Sequence, residues 1–298
     1  MNGLRLGNYE LVAKLGQGGM AAVYEARAIA GRLVGRRLAV KRLLPALEGD
    51  VEARRLFQSE SELSLHLHHP HIVEVLDVGS DLNAIFMVME MIDGRDAGQI
   101  IRQCRKRKVY WPIDFAVYTT VVLLDALSYA HQAASPAGRA LQVVHCDVSP
   151  SNFFVSRTGD LKLGDFGVAR STIEAGARDI AGKPYYLSPE ALRGEVTIQV
   201  DLWAVAVTLY ELLTLERPFR GSSPEAVIAA IRNNQYEPVR KRRGDVSESL
   251  EVIIQRALSP DVTERFGHAG DFLDALRAHY DERVGTSLAI SAMVRGLF

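Results

Sequence analysis

The spacing of apolar residues changes once along this chain, near residue 92, and that change limits the folds open to it. Before it, residues 9–15, 22–28, 37–43, 73–80 and 84–89 form short runs cut by Gly or polar turns, the pattern of strands. One early segment, 51–68, is helical instead, with Phe57, Leu63, Leu65 and Leu67 among its apolar residues and His69-Pro70 as its stop. After residue 92 helices dominate. Pro112 stands near the first turn of a helix over 112–131, and helices over 198–215, 224–233, 248–258 and 268–280 follow. Between them, 143–167 holds short strand-like pieces rich in polar residues. The pattern predicts a small mixed lobe, a hinge near 90–94 and a larger helical lobe.

A chain of 298 residues buries a large core. Its net charge of −1 gives no overall field to recruit nucleic acid or an acidic membrane, so neither is expected as a partner. The basic runs at 102–108 and 240–243 read as solvated faces, with docking of an acidic partner as the alternative. Cys104 and Cys146 are the two cysteines; they make no disulfide framework and show no zinc spacing, which fits a reducing compartment. Residues 1–10 lack the apolar run of a signal peptide. The apolar stretches 115–130 and 202–213, interrupted or bounded by Asp125 and Glu211, fall short of the roughly 20 clean residues that cross a bilayer. A cytoplasmic location is expected.

Three groups of residues carry chemistry. The first is Leu15-Gly16-Gln17-Gly18-Gly19-Met20-Ala21-Ala22-Val23-Tyr24, where glycines between two strands let the backbone pass over a phosphate chain with its N–H groups facing the anion. No Gly-Lys-Ser/Thr follows, so this is not a Walker A loop. A structural hairpin turn is the plain alternative. The second is Lys41, ending the apolar run Leu38-Ala39-Val40. A lysine there needs solvent or a partner, and Glu60 on the next helix can supply one. Glu62 competes, but two helical positions on it points elsewhere, so only one of the two faces Lys41. The third is the cluster from Val144 to Asn152 together with Asp165-Phe166-Gly167. Asp147 can accept a hydroxyl proton, while Asn152 and Asp165 offer the oxygen ligands that Mg2+ prefers.

At these residues the sequence resembles the protein kinase superfamily, specifically the bacterial eukaryotic-like (Hanks-type) Ser/Thr kinases. LGQGGMAAVY is similar to their Gly-rich loop, LAVK to the VAIK strand and HCDVSPSN to the HRDxxxxN loop; DFG is intact, and Gly182 to Glu190 is similar to the segment ending in Ala-Pro-Glu. Asp201-Leu202-Trp203 looks like the start of the long buried helix, and Arg265 like the late arginine that pairs with Glu190. The resemblance covers residues 9–280. It implies an α+β, bilobal protein-kinase-like fold: an N-lobe of antiparallel sheet plus one helix over 9–90, a hinge at 90–94 and a mainly helical C-lobe over 95–280. Residues 281–298 would be a helical tail, packed on the large lobe or docking a partner through Leu288, Ile290, Met293, Val294, Leu297 and Phe298.

The resemblance also implies the activity: a Ser/Thr protein kinase moving the γ-phosphoryl group of ATP to a protein hydroxyl, with Mg2+, or Mn2+ in its place. Lys41, Glu60 and Asp147 would be catalytic, and Asn152 and Asp165 would hold the metal. Gly16 and Gly18 would roof the phosphates, and Leu15, Val23 and Ala39 would enclose the adenine. Met89 would be the gatekeeper, with Glu90 and Ile92 bonding adenine through the backbone.

Four positions depart from the family's pattern. Ala21 stands for the third glycine of the loop, Cys146 for the Arg of HRD, Ser149 for the usual lysine and Lys183 for the usual threonine. Without that Arg, switching by loop phosphorylation is not expected, although Ser171 and Thr172 are candidates for autophosphorylation, with plain solvated loop hydroxyls as the alternative. Cys146 beside Asp147 reads as an inert buried thiol, or else as a redox-sensitive one. Lys183 is expected to return the charge that Ser149 lacks. Cys146, Ser149 and Lys183 favour a rival reading, a pseudokinase or nucleotide-binding scaffold, which the intact Lys41, Glu60, Asp147, Asn152 and Asp165 oppose. A small-molecule phosphotransferase is a further rival, disfavoured by the presence of DFG, Ser-Pro-Glu and the GxGGM loop together.

Overall fold

The structure is a computed structural model that describes residues 4–135, 137–166, 184–281 and 286–298. It is α+β and bilobal. The small lobe is an antiparallel sheet of β1 (Arg5–Leu6), β2 (Tyr9–Gln17), β3 (Ala21–Ala28), β4 (Arg37–Leu43), β5 (Val75–Asp81) and β6 (Ala84–Glu90), in the order β1-β2-β3-β4-β6-β5. One helix, α1 (Val51–Ser64), packs on it, capped by the Asp50 carboxylate, which accepts from the N–H groups of Glu52 and Ala53.

Strand alternation sets what faces α1. On β4, Leu38 and Val40 bury on one face of the sheet; Ala39 and Leu43 bury on the other, together with Phe57 of α1 and Met87 and Met89 of β6. Lys41 has the parity of the second face and is therefore aimed at the helix.

The large lobe follows with a short sheet, β7 (Gly94–Asp96), β8 (Phe153–Ser156) and β9 (Leu161–Leu163). Its helices are α2 (Ala97–Arg107), α3 (Ile113–His131), α4 (Ile198–Thr214), α5 (Pro224–Arg232), α6 (Val239–Arg242), α7 (Glu248–Ala257), α8 (Ala269–Arg277) and α9 (Ser287–Leu297). Helix α4 is buried nearly all round, as its apolar sequence requires, and Trp203 stacks on Phe219 at 5.3 Å. Among the described residues only α3 is long and apolar enough to cross a membrane, and most of it is buried inside the fold.

Several boundaries differ from the sequence reading. The helix expected over 51–68 ends at Ser64, because the N–H groups of His66 and Leu67 reach back only three residues, to Leu63 and Ser64. The tightened turn sends Leu67 into the large-lobe core, where it is 1% exposed. The strand expected from 73 starts at Val75, since the Val73 N–H is given to the Leu163 carbonyl of β9 at 2.8 Å. The helix expected to 280 stops at Arg277, and Tyr280 turns to meet the Tyr118 ring at 5.7 Å.

Candidate active site

The site lies between the lobes and begins with Lys41. Its ammonium donates to Glu60 Oε1 at 2.6 Å and to Asp165 Oδ1 at 3.0 Å, joining β4, α1 and the segment after β9. Glu60 is 4% exposed and Lys41 8%. Burial alone would push the Lys41 ammonium down; the nearby carboxylates of Asp165 and Glu60 more than offset it and hold the group well above its ordinary value. Burial in turn pushes the Glu60 carboxyl up, against the pull of Lys41. Glu62, the other carboxylate in reach by sequence, is exposed.

Two further short segments complete the site. Asn152 sits in a 3-10 turn (Pro150–Asn152), and its side-chain amide donates to the Asp147 carbonyl at 2.9 Å and to the Asp147 carboxylate at 2.7 Å. The Asn152 backbone carbonyl accepts from the Gly164 N–H at 2.8 Å, which ties this pair to the residue next to Asp165. Asp165 has φ +59°, in the left-handed region that a residue with a Cβ rarely occupies. Phe166 is buried beneath α1, its carbonyl accepting from Ser64 Oγ at 3.3 Å and its ring 4.5 Å from that of His145.

His145 and Asp201 hold the loop that presents Asp147. His145 Nδ1 accepts from the Asp147 N–H at 3.2 Å, so its Nε2 carries the proton and donates to the Gly164 carbonyl at 3.0 Å. Asp201, fully buried at the start of α4, accepts from the N–H of His145 at 2.9 Å, the N–H of Cys146 at 2.7 Å and His131 Nε2 at 2.8 Å. Cys146 takes φ +59° to make that contact. The sequence reading marked Asp201 only as a helix start and passed over His131 and Lys162. Lys162 bonds the Glu90 carboxylate at 2.5 Å, and that carboxylate also accepts from the Glu74 N–H at 2.9 Å. An acidic residue in the first turn of an apolar helix was the one available signal for Asp201.

The remaining expected residues line the mouth of the cleft. Gly16 pairs with Val23 across the β2–β3 hairpin, the Gly18 N–H closes the turn on the Ala21 carbonyl at 2.9 Å, and Leu15 falls in an irregularity between Lys14 and Gly16. Val23 lies opposite Lys41, and Ala39 opposite Met89, so they share the face that looks into the cleft. Glu90 ends β6, and Ile92 lies half-buried in the link to β7. A cavity of about 10 Å3 lies behind Met89, lined by Glu60, Asp165 and Phe166 among others. Ser149 is buried with its hydroxyl 3.1 Å from that of Ser151. Gly167, Ser171, Thr172, Gly182 and Lys183 lie outside the described residues.

Beyond the cleft, Arg265 meets Glu190 in a buried pair that joins the Ser-Pro-Glu segment to the loop before α8. The fold thus sets, between its two lobes, a lysine bridged to two carboxylates near an Asp–Asn loop. A family model described as the protein kinase domain matches residues 9–280, and the chain belongs to that family. The tyrosine-protein kinase MasK of Myxococcus xanthus is 32% identical over 298 residues, which are 98% of this chain and 46% of MasK. The serine/threonine-protein kinase PrkC of Bacillus subtilis is 32% identical over 281 residues, 92% of this chain and 41% of PrkC. The chain thus spans less than half the length of these curated relatives. The crystal structure of the Mycobacterium tuberculosis PknI kinase domain superposes with a TM-score of 0.71 at 28% identity, covering 94% of this chain and 98% of that one.

Proposed function

We propose that this chain is an ATP-dependent protein kinase that transfers the γ-phosphoryl group of Mg-ATP to a serine or threonine hydroxyl of another protein. The observation that carries the reading is the single ammonium of Lys41 held by Glu60 and Asp165 together. Phosphoryl transfer asks the protein mainly for position and charge, and the ion pair between the strand lysine and the helix glutamate must be closed for it. The domain would run over 9–280, with lobes 9–90 and 95–280 about a hinge at 90–94 and a tail from 281.

In this reading Lys41, fixed by Glu60, meets the α- and β-phosphates. Asp147 accepts the proton of the attacking hydroxyl. Gly16 and Gly18 roof the phosphates, Leu15, Val23 and Ala39 enclose the adenine, and Glu90 and Ile92 bond it through their backbones. The Asp165 carboxylate and the Asn152 amide oxygen fit a divalent cation, being hard oxygen donors; Mg2+ suits them, with Mn2+ as substitute. When bound, the ion neutralises phosphate charge. A cytoplasmic site of action goes with the need for ATP. A partner that docks on the tail meets Leu288 and Phe298, its exposed large apolar residues, because Ile290, Val294 and Leu297 are buried.

Incubation with labelled Mg-ATP and a generic protein acceptor, beside Asp147→Asn, tests the reading. Label is expected on serine and threonine, reduced roughly a hundredfold or more in the variant. Label on tyrosine instead would give this chain the acceptor in the MasK name. Nucleotide binding without transfer would leave the scaffold reading, which Cys146 and Ser149 favour.

A further inference from the structure

Helix α9 packs on the large lobe, and its contacts run to the elements that frame the nucleotide cleft. A Cβ placed on Gly159, in the turn between β8 and β9, would lie 1.7 Å from the Ser287 carbonyl oxygen, so the start of α9 and the hairpin turn meet backbone to backbone. Strand β8 begins directly after Asn152, and β9 ends two residues before Asp165. The open end of this hairpin therefore carries both expected metal ligands, and α9 lies against its closed end.

Arg157 connects the hairpin to two neighbours at once. Its carbonyl accepts from Ser291 Oγ at 2.5 Å and Arg295 Nη1 at 3.1 Å, both from α9. Its own N–H donates to the Asp93 carbonyl at 2.8 Å, and its guanidinium pairs with the Asp93 carboxylate at 3.3 Å. Asp93 lies in the link between the lobes, one residue beyond Ile92. At the other end of α9 the Phe298 ring sits 5.0 Å from the guanidinium of Arg95, on β7. The Gly296 and Leu297 carbonyls, which the helix end leaves without helical partners, accept from Arg107 and Gln103 of α2 at 2.7 Å each.

We infer that α9 is a strap that positions the nucleotide site: through Arg157 it holds the link 91–93 and the β8–β9 hairpin in one fixed relation. A hairpin of three- and four-residue strands has little stability of its own, and β7 is a three-residue strand beside it. Their mutual geometry depends on what packs outside them. Release of α9 loosens both walls of the cleft. Arg157 is thus a positioning residue, acting through Asp93 and the hairpin. The inference rests on the kinase reading above.

The test compares the full chain with Ser291→Ala/Arg295→Ala, which removes the bonds to the Arg157 carbonyl, and with Ile290→Ala/Val294→Ala, which trims the buried face of α9. The readouts are the Kd of a fluorescent ATP analogue, amide hydrogen exchange at 90–96 and 157–160, Tm, and the KM for a protein acceptor. Each variant is expected to raise the nucleotide Kd about fivefold or more, the size of one lost hydrogen bond, and to quicken exchange at 90–96. The KM for the acceptor stays unchanged. A helix that only covers the core would lower Tm and leave the Kd of the folded protein alone. Wild-type Kd and exchange in both variants overturn the inference. A wild-type chain that binds no nucleotide overturns the kinase reading instead, because coupling of α9 to 90–96 is still read by exchange alone.

Discussion

Arg265 and Glu190, 75 residues apart, face each other through two parallel bonds of 2.7 and 2.9 Å, with side-chain exposures of 0% and 2%. The guanidinium fork matches the carboxylate, while Nε donates to the Ser259 carbonyl at 2.7 Å and Nη1 also reaches the Gln199 carbonyl at 3.4 Å. Removing one partner strands the other charge in the core. Arg265→Ala is expected to destabilise the chain by about 3–5 kcal/mol in denaturant unfolding. A loss under about 1 kcal/mol would mean that Glu190 finds another donor or takes a proton.

Lys41→Met keeps much of the side chain's bulk and removes the charge that Glu60 and Asp165 share. Transfer to a protein acceptor is expected to fall roughly a hundredfold or more, since electrostatic stabilisation carries most of this chemistry. Circular dichroism should still report the wild-type fold. Transfer within a fewfold of wild type would remove Lys41 from the mechanism.

Burial pushes the imidazoles of His69 and His279 below their ordinary value, in His69 against the pull of Asp125. A histidine lowered in this way binds fewer protons folded than unfolded. Stability therefore rises with pH across the window that ends near 6.5, and is lost as pH falls through it. Tm should drop between pH 7 and pH 5.5, and His69→Gln/His279→Gln should flatten that slope. An unchanged slope in the double variant would assign the acid loss to other groups.

The Cys146 thiol is raised far above its usual range by burial first, then by the carboxylates of Asp201 and Asp147. Burial alone pushes Cys104 up to about 11. Because the thiolate is the reactive form, both should resist alkylation. Iodoacetamide at pH 7.5 should label Cys146 at least about tenfold more slowly than a free cysteine peptide, as read by mass spectrometry. Labelling at the peptide's rate would restore the redox reading for this position.

Much of the fold was legible because strand parity is local information. The sequence put Lys41 at the end of an apolar strand in need of a partner, and the structure places it with the parity of the face that α1 covers. The resemblance then chose Glu60 over Glu62, and the structure places Glu60 on Lys41. What stayed hidden depends on distance. His131 and Asp201 are 70 residues apart and meet only once α3 and α4 pack. Lys162 stands on a three-residue strand, too short for a pattern to show which side chain meets Glu90. The end of α1 was misjudged because the apolar residues carry on through Leu65 and Leu67 up to the His69-Pro70 stop, whereas Leu67 belongs to the other lobe's core.

The segment after α1 has a mechanical consequence. Val73 donates to Leu163, and Leu163 donates to His71, so residues 71–73 are stitched by backbone to β9 although α1 itself rides on the small-lobe sheet. Parts that share a ladder travel together. The backbone that follows α1 is thereby anchored in the large lobe, while Glu60 near the end of the same helix holds Lys41 of the small one, so α1 links the two lobes across the cleft.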